Sequence, residues 1–319
     1  MEKYYIKTIS ILLLALASFT VTAQQDAQYT QYIYNTVSIN PAYAGNRDVF
    51  SVVGLHRNQW VGLDGAPRTS TFSIHSPVGY TGKVGLGGSV IQDEIGPSSE
   101  TYLSADFSYT IPTSATGKLS FGLKASAQII NIDFNKLNIQ EGTDPGFTGS
   151  AGIDNDFNPN IGVGLYYHAE RFYAGLSAPN LLETEHFDED NLLQGAQASS
   201  LTARERTNFY LIVGHVFDVS DNLKFKPSLL TKVVNGAPLQ VDLSANFLIN
   251  EKFTLGAAYR WDAAISAIAG FQISNSLMIG FAYDRETTEL QQFNNGSYEL
   301  LLRFELFQKF SQVLTPRFF

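Results

Sequence analysis

The chain has 319 residues and contains no cysteine, little charge and, beyond its first two dozen residues, no apolar run that approaches a spanning helix. Without cysteine there are no disulfides, thiolate metal sites or cysteine nucleophiles, and no bacterial lipoprotein anchor. Charged residues are 16% of the chain, against roughly 25% in ordinary soluble domains, too few to solvate a normal surface. The charge that remains is acidic, formally −9, which argues against nucleic acid, a ligand that wants a basic face. In place of charge stand 26 glycines, 23 phenylalanines and 16 tyrosines.

The first residues set the compartment. Lys3 and Lys7 precede an apolar run from Ile9 to Phe19, and Val21-Thr22-Ala23 puts small or slender residues before a cut at Gln24. Basic, apolar and cleavage regions in that order read as a secretory signal over residues 1–23. The run is shorter than the ~20 apolar residues of a permanent helical anchor. Any later contact with a membrane must use another architecture.

From about Val49 onward the pattern has period two, which predicts strands with two unlike faces. Leu103, Ala105, Phe107, Tyr109 and Ile111 alternate with Tyr102, Ser104, Asp106, Ser108 and Thr110. Tyr298, Leu300, Leu302, Phe304 and Leu306 alternate in the same way with Glu299, Arg303 and Glu305. Such runs are predicted near 48–60, 69–76, 82–92, 100–111, 117–131, 160–169, 171–178, 207–217, 222–234, 238–249, 252–261, 263–273, 276–284 and 297–307, fourteen in all. Most are near the ~9–11 residues that a tilted membrane strand needs.

The connections provide an independent check. Those after even-numbered runs are short, whereas every long one follows an odd-numbered run: 61–68, 93–99, 132–159, 179–206 and 285–296. Bacterial barrels alternate short periplasmic turns with longer outer loops, so this parity predicts a closed barrel with both chain ends on the periplasmic side. A soluble β-sandwich would also show alternation. Against it stand a polar face crowded with glycine and serine, and aromatics near strand ends at Tyr109, Tyr167, Trp261, Tyr283 and Tyr298, as interfacial girdles require. Charges are expected mainly in the long loops rather than on the strands.

The search for a catalyst returns little. The chain has no Gly-x-Ser-x-Gly elbow, phosphate loop or His-Glu-x-x-His pair, and His56, His75, His168, His186 and His215 lack ligand-like spacing. They read as polar wall or loop residues, and no cofactor is expected. Asp154, Asp156 and Asn158 in "GIDNDFNPN" resemble the start of a calcium loop, but the terminal glutamate is missing, so a solvated acidic loop is predicted. "ETEHFDED" (183–190) forms an acidic stretch of the next loop, either a solubilising face or one that steers a basic partner. The strongest local signal is "HRNQWVGLDGAPRTSTFSIHSP", from His56 to Pro77. One reading is a hairpin bent by Gly62, Gly65 and Pro67, with Trp60 as interfacial anchor. Another has Arg57 and Arg68 together binding an acidic group on a partner. The residues leave both open.

This segment, with "INPAYAG" (Ile39–Gly45) and the terminal "PRFF" (Pro316–Phe319), resembles the PorP/SprF family of type IX secretion membrane proteins. The motifs N-P-A-Y-A-G, R-x-Q-W, G-A-P-R-T and H-S-P carry the likeness, and the middle of the chain agrees as a barrel of similar length. The resemblance implies an outer-membrane barrel serving protein secretion, gliding motility or surface attachment of adhesins. It further implies outer-membrane lipids as surroundings, and periplasmic ring proteins or lipoproteins and exported proteins with type IX C-terminal sorting domains as partners.

Residues 24–47 are aromatic-rich yet irregular. Asn40-Pro41 forces an extended-then-turn path and Gly45 lets the chain swing into the first strand. Irregular backbone at membrane depth must be buried in protein, and Tyr29, Tyr32, Tyr34 and Tyr43 suit such burial. The expected organisation is therefore all-β: a signal peptide (1–23), a plug or periplasmic arm (24–47), a transmembrane up-and-down antiparallel barrel of about 14 strands (48–307) and a periplasmic tail (308–319). The residues expected to carry fold and docking are Tyr32, Tyr34, Asn40, Pro41, Tyr43, Gly45, Arg57, Gln59, Trp60 and Arg68. The expected function is non-enzymatic, by partner binding at the outer membrane. The alternatives are a channel for hydrophobic or small solutes, similar to FadL-type transporters, which demands a continuous apolar tunnel, and a barrel enzyme, which demands a histidine near serine or aspartate on adjacent strands.

Overall fold

The computed structural model describes residues 28–136, 152–183 and 206–306. The signal segment, the 184–190 acidic stretch and the 308–319 tail lie outside the described residues. Fourteen strands follow in chain order: β1 (Phe50–Asn58), β2 (Arg68–Val78), β3 (Val84–Ile95), β4 (Ser98–Pro112), β5 (Lys118–Asp133), β6 (Gly152–His168) and β7 (Phe172–Ala178). Next come β8, in two pieces (Asn208–His215 and Phe217–Ser220), β9 (Leu223–Val234), β10 (Gln240–Ile249) and β11 (Phe253–Arg260). The last are β12 (Ala264–Gln272), β13 (Leu277–Glu286) and β14 (Ser297–Leu306). Each pairs antiparallel with its neighbours in sequence. β14 then pairs with β1 from Phe50↔Leu306 to Asn58↔Tyr298, which closes the sheet into a barrel.

The two-residue period decides which side chains point outward. Along β14, Leu300, Leu302 and Phe304 are exposed while the intervening Leu301, Arg303 and Glu305 are buried. The same phase carries Phe107, Tyr109, Phe121, Leu123, Leu165, Leu243, Leu255 and Phe281 to the outer surface. In water so wide an apolar surface would be an aggregation site; around a closed barrel it is the lipid-facing band. Among the described residues no helix is long and apolar enough to cross a membrane, so the strands do the crossing.

The connections fall on two sides. At one end are 79–83, 113–117, 169–171, 221–222, 250–252 and 273–276; the other end carries 59–67, 96–97, 235–239, 261–263 and 287–296, with the described ends of the β5–β6 and β7–β8 connections. These are called the inner and outer ends below. Two long loops of the sequence reading are shorter than expected. Residues 93–99 contain only a Gly96-Pro97 turn, because Asp93–Ile95 and Ser98–Ser99 extend the β3–β4 ladder. "GIDNDFNPN" is not an acidic loop but the first half of β6, paired with β5 across a bulge at Ile130–Ile132. The bulge puts Asn155 in the left-handed region and breaks the alternation there. That break hides the strand from a period-two reading.

A charge in the lipid band tests this assignment. Leu302→Lys should lower unfolding stability in lipid vesicles by about 2–4 kcal/mol. Tyr80→Lys, in the exposed 79–83 turn, should change it by no more than about 0.5 kcal/mol, read by urea titration.

Candidate functional site

The barrel lumen is occupied by the chain's own N-terminal segment, residues 28–47, nearly all of it buried. It runs as three short turns, Tyr32–Tyr34, Thr36–Ile39 and Pro41–Tyr43. The last starts at Asn40, extended as the residue before proline must be, whose Oδ1 accepts from the Ala42 N–H at 3.0 Å. Because irregular turns leave backbone groups without a ladder, the wall has to supply partners. Ser73 Oγ donates to Asn35 Oδ1 (2.8 Å), Ser177 Oγ to the Ile39 carbonyl (2.7 Å) and Ser108 Oγ to the Ala44 carbonyl (2.7 Å). Asn40 Nδ2 reaches the Leu165 carbonyl at 3.0 Å, and the Gly45 N–H donates to His75 Nδ1 at 3.2 Å.

Wall glycines make room for the segment. A Cβ on Gly122 would lie 2.0 Å from the Ala42 nitrogen, on Gly164 2.1 Å from Asn40 Oδ1, and on Gly85 2.1 Å from the Ala44 carbonyl oxygen. Gly45 itself has φ +75°, and a Cβ there would meet Gly85 Cα at 2.7 Å, so two backbones cross where neither can carry a side chain. Tyrosines fill the space between. Tyr43 meets Tyr166 edge-on at 5.2 Å, and Tyr166 stacks on Tyr173 at 6.2 Å. Tyr32, Tyr34, Tyr29 and Tyr43 join Val53, Leu55, Ile212 and Leu301 in one apolar cluster.

The lumen also holds ion pairs, against the expectation that charge would avoid the strands. Arg57 Nη1 lies 2.6 Å from both Asp284 Oδ2 and Glu299 Oε1, all three side chains almost fully buried. The N-terminal segment completes the group. Thr30 donates its N–H to Glu299 at 2.6 Å and its hydroxyl to Asp284 at 2.7 Å, and the Gln31 N–H donates to Glu299 at 3.0 Å. At the opposite end Arg47 pairs with Glu305, beside Arg303, which lies over the Tyr34 ring at 5.4 Å. Lys124–Asp106 (3.2 Å) and Arg260–Asp242 (2.6 Å) are further buried pairs. Opposite charges meet across neighbouring strands (Arg57–Glu299, Lys124–Asp106, Arg260–Asp242), across an intervening strand (Arg57–Asp284) or between wall and segment (Arg47–Glu305), so these charges are compensated inside the barrel.

The predicted site residues therefore separate. Tyr32, Tyr34, Asn40, Pro41, Tyr43 and Gly45 come together in the lumen. Arg57 and Arg68 do not share a partner site: Arg57 faces inward, while Arg68, exposed, stands opposite Asn58 on the outward face. Arg57 already has two internal carboxylates. Trp60 is not a lipid-interface anchor either. Its Nε1 donates to Glu286 at 2.8 Å, on the lumen face of β13, with its backbone at φ +49°. Gln59 lies between them, accepting from Arg57 Nε at 3.5 Å, and lines with Arg68, His56 and Glu94 an open cleft of about 590 Å³ on the outer hairpin.

Asp284, Glu286, Arg47 and Glu305 were missed as site residues. For Asp284, Glu286 and Glu305 the signal is a single charge at a polar-phase position of an apolar strand; Arg47 lies in the segment before β1 and has no such signal. An apolar tunnel does not line this wall among the described residues, where serine, asparagine and charged pairs alternate with few aliphatic side chains. One histidine meets a serine across adjacent strands, His56 Nδ1 to Ser70 Oγ at 2.9 Å, on the outward face. Among the described residues no carboxylate hydrogen-bonds to that ring, and no cluster of three or more His, Cys, Asp or Glu is arranged to hold a metal.

Two substitutions test the seating. Gly122→Val puts a branched side chain onto the Ala42 backbone and should cost roughly 1–3 kcal/mol by overpacking, with raised single-channel conductance in planar bilayers as the segment is displaced. Arg57→Ala strands two buried carboxylates and should cost about 3–5 kcal/mol, measured by the loss of heat-modifiable mobility on gels and by urea unfolding.

Comparison with known proteins places the chain. No curated protein matches it. Among solved structures it is similar to the KdgM porin (9% identity, 81% of this chain and 99% of that chain, TM-score 0.37) and to the CymD monoaromatic hydrocarbon channel (13%, 85% and 91%, TM-score 0.46). A FadL homologue of Pseudomonas aeruginosa is similar at 12% identity, over 80% and 88% of the two chains, TM-score 0.40. The model of the family described as type IX secretion system membrane protein PorP/SprF matches residues 21–304. The chain is an outer-membrane β-barrel belonging to the PorP/SprF family of type IX secretion system membrane proteins.

Proposed function

We propose that this barrel is a non-enzymatic component of type IX secretion that supports export or surface attachment of adhesins and gliding proteins by binding partners. The partners on the inner side are periplasmic ring proteins or lipoproteins, and on the outer side exported proteins with type IX C-terminal sorting domains. The observation that supports this reading is the occupied lumen. Residues 28–47 fill it, pinned by Arg57–Asp284–Glu299 at one end and Arg47–Glu305 at the other. A barrel so filled offers rims and loops to other proteins rather than a conduit to solutes.

Within this reading the ten residues divide by task. Tyr32, Tyr34, Asn40, Pro41, Tyr43 and Gly45 seat the segment and Arg57 holds its outer end. Gln59, Trp60 and Arg68 shape the outer hairpin, where a partner from outside would meet the barrel.

In-frame deletion of the gene is expected to leave sorting-domain adhesins in the periplasm or released into the medium, with surface display restored by a plasmid copy. Immunoblots of surface, periplasmic and medium fractions read the outcome. An unchanged cargo distribution in the deletion strain would sink the proposal.

A further inference from the structure

We infer that the N-terminal segment is threaded through the lumen from the outside inward, so that Gln28, the first described residue, lies at the cell-surface mouth of the barrel. The order of its contacts carries this. Gln28 Nε2 donates to Gln240 Oε1 at 2.5 Å, and Gln240 opens β10 at its outer end. Thr30 binds Asp284 and Glu299, two residues from the outer ends of β13 and β14. Ten residues on, Asn40 contacts the Leu165 carbonyl, inside β6. Asn46 then accepts from Ser120 Oγ at 3.1 Å and bonds to His168 Nε2 at 3.0 Å, at the inner ends of β5 and β6. Arg47 meets Glu305 at the inner end of β14, and β1 starts back outward at Phe50. Depth therefore increases steadily with residue number, and the segment and β1 form an up-and-down pair around the Gly45–Asp48 bend, where Gly45 and Asp48 both have positive φ.

The inference departs from the expectation that the N-terminal side of the chain is periplasmic, and from a periplasmic docking arm as the role of these residues. It rests on long loops facing outward, the orientation that bacterial barrels share, and not on the secretion role. The physical consequence is that the accessible part of the segment is Gln28 with its surroundings at the outer mouth. There the half-buried Gln28 and Gln240 amides face the outer mouth, and Gln240 Nε2 donates in turn to Asp242, which is buried against Arg260.

The absence of cysteine makes the test direct. Gln28→Cys is treated with a membrane-impermeant maleimide on intact cells and after outer-membrane permeabilisation. Asp64→Cys in the outer hairpin and Ser274→Cys in an inner turn serve as references. Labelling of Gln28→Cys on intact cells, as for Asp64→Cys, is the expected result; labelling only after permeabilisation, as for Ser274→Cys, overturns the inference. The double variant Gln28→Cys/Gln240→Cys covers the case in which residue 28 is too enclosed to label. Under a mild oxidant it should form an intrachain bridge visible as a mobility shift, and failure to bridge while both thiols react on the unfolded protein also overturns it.

Discussion

A strand inside hydrocarbon has nowhere to put an unpaired N–H or C=O, and the pairing of β14 with β1 is what removes the last such edge. From that closure the rest follows. The strands are even in number so that long and short connections stay on their own sides. Every side chain is assigned to lipid or lumen by the parity of its position. A charge at the wrong parity is costly too, so exposed Leu300, Leu302 and Phe304 alternate with buried Leu301, Arg303 and Glu305.

Closure also creates a second problem, an interior isolated from the lipid and lined by groups that need partners. This protein meets it with its own chain. The segment from Gln28 to Arg47 supplies backbone donors to Glu299, carbonyls to Ser108 and Ser177, and tyrosine rings to the remaining volume. The wall reciprocates with missing side chains at Gly85, Gly122 and Gly164. Arg57, Lys124 and Arg260 pair with carboxylates on neighbouring strands, Arg57 also with Asp284 one strand further on, and Glu305 pairs with the segment itself. The interior is thereby committed to holding itself together.

The strands were legible because alternation is a local property. Tyr102–Ile111 and Leu119–Ile129 can each be phased from their own side chains, and the structure keeps that phase. Where a bulge interrupts the alternation, as at Asn155, the reading failed and half of β6 passed for a loop. The candidate site was legible in part. The tyrosines and the Asn-Pro turn marked residues 28–47 as something buried. Arg57, however, looked like a free cation beside a loop. Its partners lie 227 and 242 residues away, and nothing local to Arg57 announces them. Trp60 misled for the same reason, its acceptor Glu286 being on a strand met only after closure.

The amino-acid sequence by itself determined the compartment signal, the two-faced strands, their approximate limits and the lipid-facing side chains, since each depends on neighbours within a dozen residues. Only the tertiary structure decided which charges meet across the lumen, where the glycines leave room, and in which direction the N-terminal segment runs. Those contacts join residues on different elements, up to 269 positions apart for Thr30 and Glu299, brought together when the barrel forms. A one-dimensional pattern records a residue's face, but depth and partner exist only once the barrel has a particular register.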